Sequence, residues 1–473
     1  MSILGKHLLL INPWIYDFTA YDLWSKPLGL LYLASFLRQQ GFQISYIDCL
    51  DKYQGDKAPR IKKFGKGHFQ REIIDKPALL RTIPRHYARY GIPETTFIKS
   101  ITNMPRPDCV LITSMMTYWY LGPKRVVEIV RNIYPGVPII FGGIYATLLP
   151  EHARKFVKPD YIITGPGEKA VLRLLAKMFN FDSDSFVQPE DLDDYPYPAF
   201  DLINHPDYLI ILSARGCPYN CSFCAQKLIS MPFSQRQPER VVEELAYHFK
   251  TFKVHDFAFY DDALFVRREQ HIKAILQKII DRRLPLRFHA PNGLFANDLD
   301  AELAELMFRS GFKTICLSFE TVNDQRYADM NHKISREGMI QAVENLVRAG
   351  FQRHELAAYV IMGLPEQSLE EIIASMIFIN NLGVRLRLAS YSPIPNTLDF
   401  KRACSAGLIS ADIDPLLTNK TIFPLQQSKS AYETFCKIRS FAHMLNDACR
   451  KNFTPFAGSD FGSSLRQVVK NLN

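Results

Sequence analysis

Apolar residues recur along this chain in two rhythms. Short runs such as Leu8-Leu9-Leu10-Ile11 and Val110-Leu111-Ile112 are apolar at every position, the mark of a strand buried on both faces. Longer stretches repeat an apolar residue every third or fourth position, the period of an amphipathic helix. In the first part of the chain, strands are predicted over residues 8–12, 43–48, 110–114, 138–141 and 160–164, with helices over 27–37, 122–134 and from about 167 onward. Strand and helix in alternation imply a parallel, doubly wound sheet. Five strands fit a flavodoxin-like order, whose ligand sits at the carboxyl ends where the order reverses.

The rhythm resumes after residue 207. Strands are predicted over 208–212, 256–260, 286–290, 314–319, 356–362 and 387–391, separated by helices over 239–252, 268–282, 300–310, 336–349 and 367–381. A parallel barrel of this kind places its chemistry at the carboxyl ends of its strands. Between the halves, residues 181–207 hold Asp182, Asp184, Asp191, Asp193 and Asp194 with Pro189, Pro196, Pro198 and Pro206, a composition that predicts a linker crossing the surface. Four parts are expected: a doubly wound domain over 1–180, the linker over 181–207, a barrel over 208–398 and a helical cap over 399–473.

Length and composition agree with this plan. A chain of 473 residues exceeds one core, and 47% hydrophobic with 22% charged residues is the balance of a soluble globular protein. No apolar run approaches the ~20 residues that cross a bilayer. The first apolar stretch is too short for a signal peptide, so a cytoplasmic location is expected. Six of the nine cysteines stand alone, which suits a reducing compartment better than a disulfide framework.

The net charge of +9 is concentrated between Lys52 and Arg106, where thirteen Lys or Arg face only four acidic residues. Phe64, His68, Phe69, Tyr87 and Tyr90 lie in the same insertion. An anionic substrate, nucleic acid or a membrane surface could meet such a segment; a solvated basic face is the simpler expectation.

The sharpest chemical signal is Cys217-Pro218-Tyr219-Asn220-Cys221-Ser222-Phe223-Cys224, a C-x3-C-x2-C array. Three thiolates on one loop can hold a four-iron cubane while leaving its fourth iron open to a ligand that is not protein. A structural zinc loop competes, but it needs a fourth ligand and no second Cys or His pair stands at finger-like spacing. The array, with Phe223 before its last cysteine, resembles the signature of the radical S-adenosylmethionine superfamily. That resemblance implies a [4Fe-4S] cluster on Cys217, Cys221 and Cys224, S-adenosylmethionine chelated at the open iron, and a partial barrel of six strand–helix units.

Three N-terminal segments, Pro27-Leu28-Gly29-Leu30-Leu31-Tyr32, Phe141-Gly142-Gly143-Ile144-Tyr145 and Thr164-Gly165-Pro166-Gly167-Glu168, resemble the cobalamin-binding, Rossmann or flavodoxin-like domains that precede such barrels. Gly142, Gly143, Gly165, Gly167 and Glu168 are then cofactor contacts, the glycines letting backbone approach a large ligand. The Asp-x-His-x-x-Gly cobalt-ligand motif is missing: Asp48-Cys49-Leu50-Asp51 offers no histidine, and Tyr145 stands where histidine is common.

In the barrel the resemblance assigns Tyr260, Asp261 and Asp262 to the methionyl amine, Ser318 and Glu320 to the ribose, and Gly363, Leu364 and Pro365 to the adenine. Helix capping by one of the aspartates and ordinary hydrogen bonding by Glu320 are the structural alternatives. His289, Tyr391 and Cys436 are candidates for catalytic or pocket roles. The expected function is a cobalamin-dependent radical enzyme methylating an unactivated carbon of a small molecule or peptide, with flavodoxin or ferredoxin as electron donor. Radical chemistry without cobalamin, or with cobalamin serving rearrangement or electron transfer, is an alternative. A nucleic-acid or membrane-surface binder with a structural cluster is another, although nucleic acid is not the expected partner.

Overall fold

The computed structural model describes residues 5–182, 186, 189–329, 335–425, 428–451 and 461–472. Asp184 of the expected linker and residues 452–460 and 473 of the expected cap lie outside the described residues. The chain divides into two compact units: Met1–Ile210 with Leu228–Met231 and Asp414–Leu417, and the remainder.

The first unit is built on five parallel strands, β1 (His7–Asn12), β2 (Gln43–Asp48), β3 (Cys109–Ile112), β4 (Ile139–Phe141) and β5 (Tyr161–Ile162), in the order β5-β4-β3-β1-β2. The order reverses between β1 and β3, as the flavodoxin-like expectation requires. The apolar runs read as strands are buried because helices cover them. Leu30, Ala34 and Leu37 of the helix Leu28–Gln39, with Val171, Leu172 and Leu175 of the helix Glu168–Phe179, form one cluster with Leu8, Leu10, Cys109 and Leu111. Each such leucine contributes roughly 1.5–3 kcal/mol by leaving water.

The basic insertion contains structure that its sequence does not signal. Gly67–His68 pairs with both Tyr21–Asp22 and Arg60–Ile61, while Tyr87–Tyr90 pairs with both Ile15–Asp17 and Arg71–Ile74, giving two small antiparallel sheets ahead of the helix Glu94–Thr102. Strands of two to four residues are too short to show a periodicity. Nor is all the charge a solvated face. Lys52 is buried, with its ammonium 2.7 Å from Asp22 Oδ2 and 2.9 Å from Asp207 Oδ2, and Arg89 pairs with Glu94 at 2.8 Å and Glu72 at 2.5 Å. The stretch expected to cross the surface as a linker likewise buries Ala199 and Phe200, and just beyond it Tyr208 is buried with its hydroxyl donating to Asp22.

The second sheet has six strands in sequence order: β6 (Leu209–Ile211), β7 (Asp256–Phe259), β8 (Arg287–Phe295), β9 (Phe312–Glu320), β10 (Leu356–Met362) and β11 (Arg385–Ser390). Its registered neighbours from β7 to β11 are all parallel, the arrangement of a partial barrel. Strand β8 runs beyond the expected residue 290 through Pro291-Asn292-Gly293, with its register shifting between Ala290 and Leu294. Asn292 Nδ2 donates to the Tyr260 carbonyl at 3.0 Å and Tyr359 OH donates to the Pro291 carbonyl at 2.8 Å, side-chain bonds where the ladder is broken. Beyond the strands, helices Leu398–Ser405, Lys429–Arg450 and Phe461–Leu472 form the helical C-terminal region.

Candidate active site

The cysteine loop leaves the first barrel strand through Ala214–Arg215, which pairs with Ser234–Gln235. Gly216, at φ 82, makes the turn ahead of Cys217, a conformation costly for any residue with a Cβ. Cys217 is half-buried, Cys221 buried and Cys224 exposed. Among the described residues, no three Cys, His, Asp or Glu side chains converge as they would around a single metal ion. The donor set suits a cluster, whose irons each take one thiolate and whose fourth position stays open.

Hydrogen bonds to four carboxylates fasten this loop in place. Ser213 donates to Asp261 from its backbone at 3.0 Å and its hydroxyl at 2.6 Å, and Gln226 donates to Asp262. Within the loop, Tyr219 OH donates to Asp298 at 3.3 Å and Ser222 Oγ donates to Asp399 at 2.8 Å. Nothing in the sequence alone marks Asp298 or Asp399 as a partner of the loop. Asp300 caps the helix Ala301–Ser310 and Thr397 caps Leu398–Ser405, so a capping signal stands within two residues of each, but nothing in the spacing links either to Tyr219 or Ser222.

The structure therefore divides the aspartate pair. Asp261 is buried and committed to Ser213; burial outweighs those hydrogen bonds and pushes its carboxyl up to about 6. Asp262 reaches solvent, yet its low-dielectric surroundings, followed by the charge of Asp261, push it up to about 7. Asp262 and the half-buried Tyr260 beside it keep some exposure where Asp261 has none to spare.

At the end of β9, Ser318 and Glu320 are both buried, and Glu320 takes φ 68 at an irregularity in the β9–β10 register. Gly293 comes so close that a Cβ there would sit 2.2 Å from Ser318 Oγ. Gly363, at φ 86, is a turn as expected, but its amide and that of Leu364 both donate to Gln367 Oε1, at 2.8 and 3.2 Å. A Cβ on Gly363 would lie 2.7 Å from the Phe423 ring, so the close approach observed there is to Phe423. Pro365 accepts at its carbonyl from Arg326 at 3.0 Å, and the buried Leu364 packs with Ile361, Ala403, Leu425 and Tyr391 beside Phe223.

The three catalytic candidates separate. Tyr391 is brought to the cluster loop through Phe223, and burial pushes its phenol up. His289 is not at the mouth of the barrel. Its ring is fully buried, with Nε2 3.0 Å from Asp256 at the start of β7 and Nδ1 3.0 Å from Thr314 near the start of β9. Those bonds hold it in the sheet, so of the two roles open to it in the sequence, acid–base or hydrogen-bonding, the structure displays hydrogen bonding. Cys436 is exposed on the helix Lys429–Arg450.

At the carboxyl edge of the first sheet, glycines leave space. A Cβ on Gly142 would meet nothing nearer than 3.7 Å, one on Gly167 nothing nearer than 3.9 Å, and one on Gly165 nothing within 4 Å. Gly143 differs: at φ 93, a Cβ there would be 2.3 Å from the Ser114 carbonyl. Ser114 Oγ donates to the Gly142 carbonyl at 2.7 Å, which locks the ends of β3 and β4 together. Glu168 is buried in the first turn of its helix, and Tyr145 is fully buried with its hydroxyl 2.6 Å from His152 Nδ1. A cleft lined by Asn12, Pro13, Trp14, Ser114 and Met115 opens where the strand order reverses. The cleft itself is small, and it is the glycine edge, short of side chains, that leaves backbone open to a large ligand.

Comparison with known proteins agrees with both halves. Residues 86–175 match the B12 binding domain family and residues 211–379 match the radical SAM superfamily. The chain is 25% identical over 452 residues to an uncharacterized methyltransferase, PH0819, of Pyrococcus horikoshii, covering 86% of this chain and 87% of that one. It is 22% identical over 340 residues to the anaerobic magnesium-protoporphyrin IX monomethyl ester cyclase of Rubrivivax gelatinosus, covering 63% and 60% of the two chains. Among solved structures, the radical S-adenosylmethionine methyltransferase TsrM of Kitasatospora setae superposes with a TM-score of 0.63 at 16% identity, over 85% of this chain and 76% of that one. At that identity the likeness concerns the fold.

Proposed function

From the premise that this chain belongs to the radical SAM superfamily and carries a B12-binding domain ahead of its barrel, we propose that it methylates an unactivated carbon of a small molecule or peptide. Its cofactors are a [4Fe-4S] cluster, S-adenosylmethionine and cobalamin. When bound, the cluster supplies the electron that cleaves S-adenosylmethionine to a 5′-deoxyadenosyl radical, and cobalamin carries the methyl group. The observation that carries the reading is the pairing of a three-cysteine loop on the barrel with a glycine-edged, flavodoxin-order sheet in one chain.

Cys217, Cys221 and Cys224 hold the cluster, and the clasps from Asp261, Asp298 and Asp399 fix the loop that carries them. Asp262 and the backbone around Tyr260 take the amine of S-adenosylmethionine; Ser318 and Glu320 take its ribose hydroxyls. A buried carboxylate stabilises the fold only when hydrogen-bonded, and two ribose hydroxyls are donors of the right kind. Leu364 and Pro365 lie along the adenine. Gly142, Gly143, Gly165 and Gly167 line the cobalamin edge with Glu168 behind them. Tyr391, beside the cluster loop, shapes the substrate pocket and helps exclude water from it. The electron donor is a flavodoxin or ferredoxin.

A second reading, ring closure or another carbon-centred rearrangement with cobalamin assisting, is favoured by the similarity to a cyclase. Anaerobic reconstitution with hydroxocobalamin, followed by counting of iron and cobalt, tests the shared chemistry; labelled S-adenosylmethionine separates the two readings. Transfer of its methyl carbon to product supports methylation, whereas deoxyadenosine release with no labelled product would replace it with the second reading.

A further inference from the structure

The basic insertion holds a cavity that the proposed chemistry leaves unused. It encloses about 560 Å³ between the two small antiparallel sheets. Pairing register explains its walls. Arg60 and Tyr21 both stand opposite His68 in one sheet, and Arg71 stands opposite Tyr90 in the other; residues in register share a face. Gly67 permits this arrangement, because a Cβ there would be 2.7 Å from the Arg60 carbonyl.

The lining separates by chemistry. Ala20, Phe69 and Tyr90 are buried and form an apolar floor, while Lys57, Arg60 and Arg71 are exposed at its edge. No Asp or Glu lines the cavity, and none of these three cations forms an ion pair with a described residue. Their neighbours Lys52 and Arg89 have carboxylate partners. Three charges of one sign beside an aromatic floor make a site that lacks only its counter-charge. Two guanidiniums and an ammonium suit a phosphate group, whose several oxygens guanidiniums bind in a bidentate fork.

We propose that this cavity binds an organic phosphate, its phosphate held by Lys57, Arg60 and Arg71 and its apolar or aromatic body seated on Phe69 and Tyr90. Two sources could supply that chemistry: a separate phosphorylated molecule, or the phosphodiester of a bound corrinoid. Neither requires the cluster, so the site is tested apart from the proposed reaction.

The experiment is calorimetric titration of the full-length chain with phenyl phosphate, inorganic phosphate and phenol, with and without prior loading by hydroxocobalamin. Phenyl phosphate should bind more tightly than either fragment, and more weakly as salt is added. R60Q/R71Q should weaken it on the order of thirtyfold, the loss expected for two charge-assisted contacts, while K250Q on the exposed face of the helix Pro238–Phe252 should not. Unchanged binding after corrinoid loading identifies a separate ligand; loss of binding after loading, with poorer cobalt retention in R60Q/R71Q, identifies the corrinoid phosphate. Absence of binding at about 1 mM phenyl phosphate overturns the proposal, as does equal binding by R60Q/R71Q with an unchanged unfolding transition. Should the double variant fail to fold, R60K/R71K keeps the charge and is expected to weaken binding by a smaller factor.

Discussion

The two parallel sheets finish their carboxyl edges in opposite ways. The first ends in Gly142, Gly143, Gly165 and Gly167, with little side chain in the space beyond. The second ends in Asp261, Asp262, Ser318 and Glu320, and its cysteine loop is tied down by hydrogen bonds to four carboxylates. One edge makes room and the other takes hold. A large, flat group with many weak contacts is accommodated by removing side chains; a small polar one is positioned by placing them.

That contrast can be broken from either side. The largest effect is expected of the triple variant C217A/C221A/C224A, which should retain no iron and cleave no S-adenosylmethionine while still binding cobalt; retained cleavage would end the barrel assignment. Next is G143V. Its side chain must enter the 2.3 Å gap to the Ser114 carbonyl at a φ of 93, so a loss of roughly 3 kcal/mol in unfolding free energy and poor cobalt retention are expected, with iron content unaltered. Equal loss of iron would show that the two edges are not independent.

A smaller effect concerns pH. Asp261 and Asp262 have folded-state values raised to about 6 and about 7, above the ordinary 3.8, so the folded form holds protons that the unfolded form has released. Their stabilising contribution is complete below the unfolded value and is lost as pH rises through those raised values. Chemical unfolding followed from pH 4 to 8 should therefore show this contribution declining, and D261N should flatten the decline. An identical slope in D261N would remove Asp261 as its source. Smallest is C436S: an exposed surface replacement should change stability by less than about 0.5 kcal/mol and leave iron unchanged.

The same contrast explains what the sequence disclosed. Strands such as Leu8-Leu9-Leu10-Ile11 announce themselves because burial on both faces demands an unbroken apolar run, and the cysteine spacing is set by the cluster it wraps. The loop's supports were hidden, since Tyr219 and Asp298, or Ser222 and Asp399, are joined only by folding. His289 stays open between two roles for a related reason: its strand is legible, but its bonds to Asp256 and Thr314 come from neighbouring strands. The small sheets of the insertion were hidden by their shortness, and with them the cavity they enclose.

Glu320 carries one further consequence. Its backbone sits at φ 68, where a residue with a Cβ costs on the order of 1 kcal/mol or more relative to glycine. A directed-evolution screen that rewards heat resistance alone would thus be drawn toward glycine or asparagine at this position. The survivors would be sturdier proteins that had traded away a carboxylate at the mouth of the barrel, so any stabilised version of this chain should be selected with position 320 held fixed.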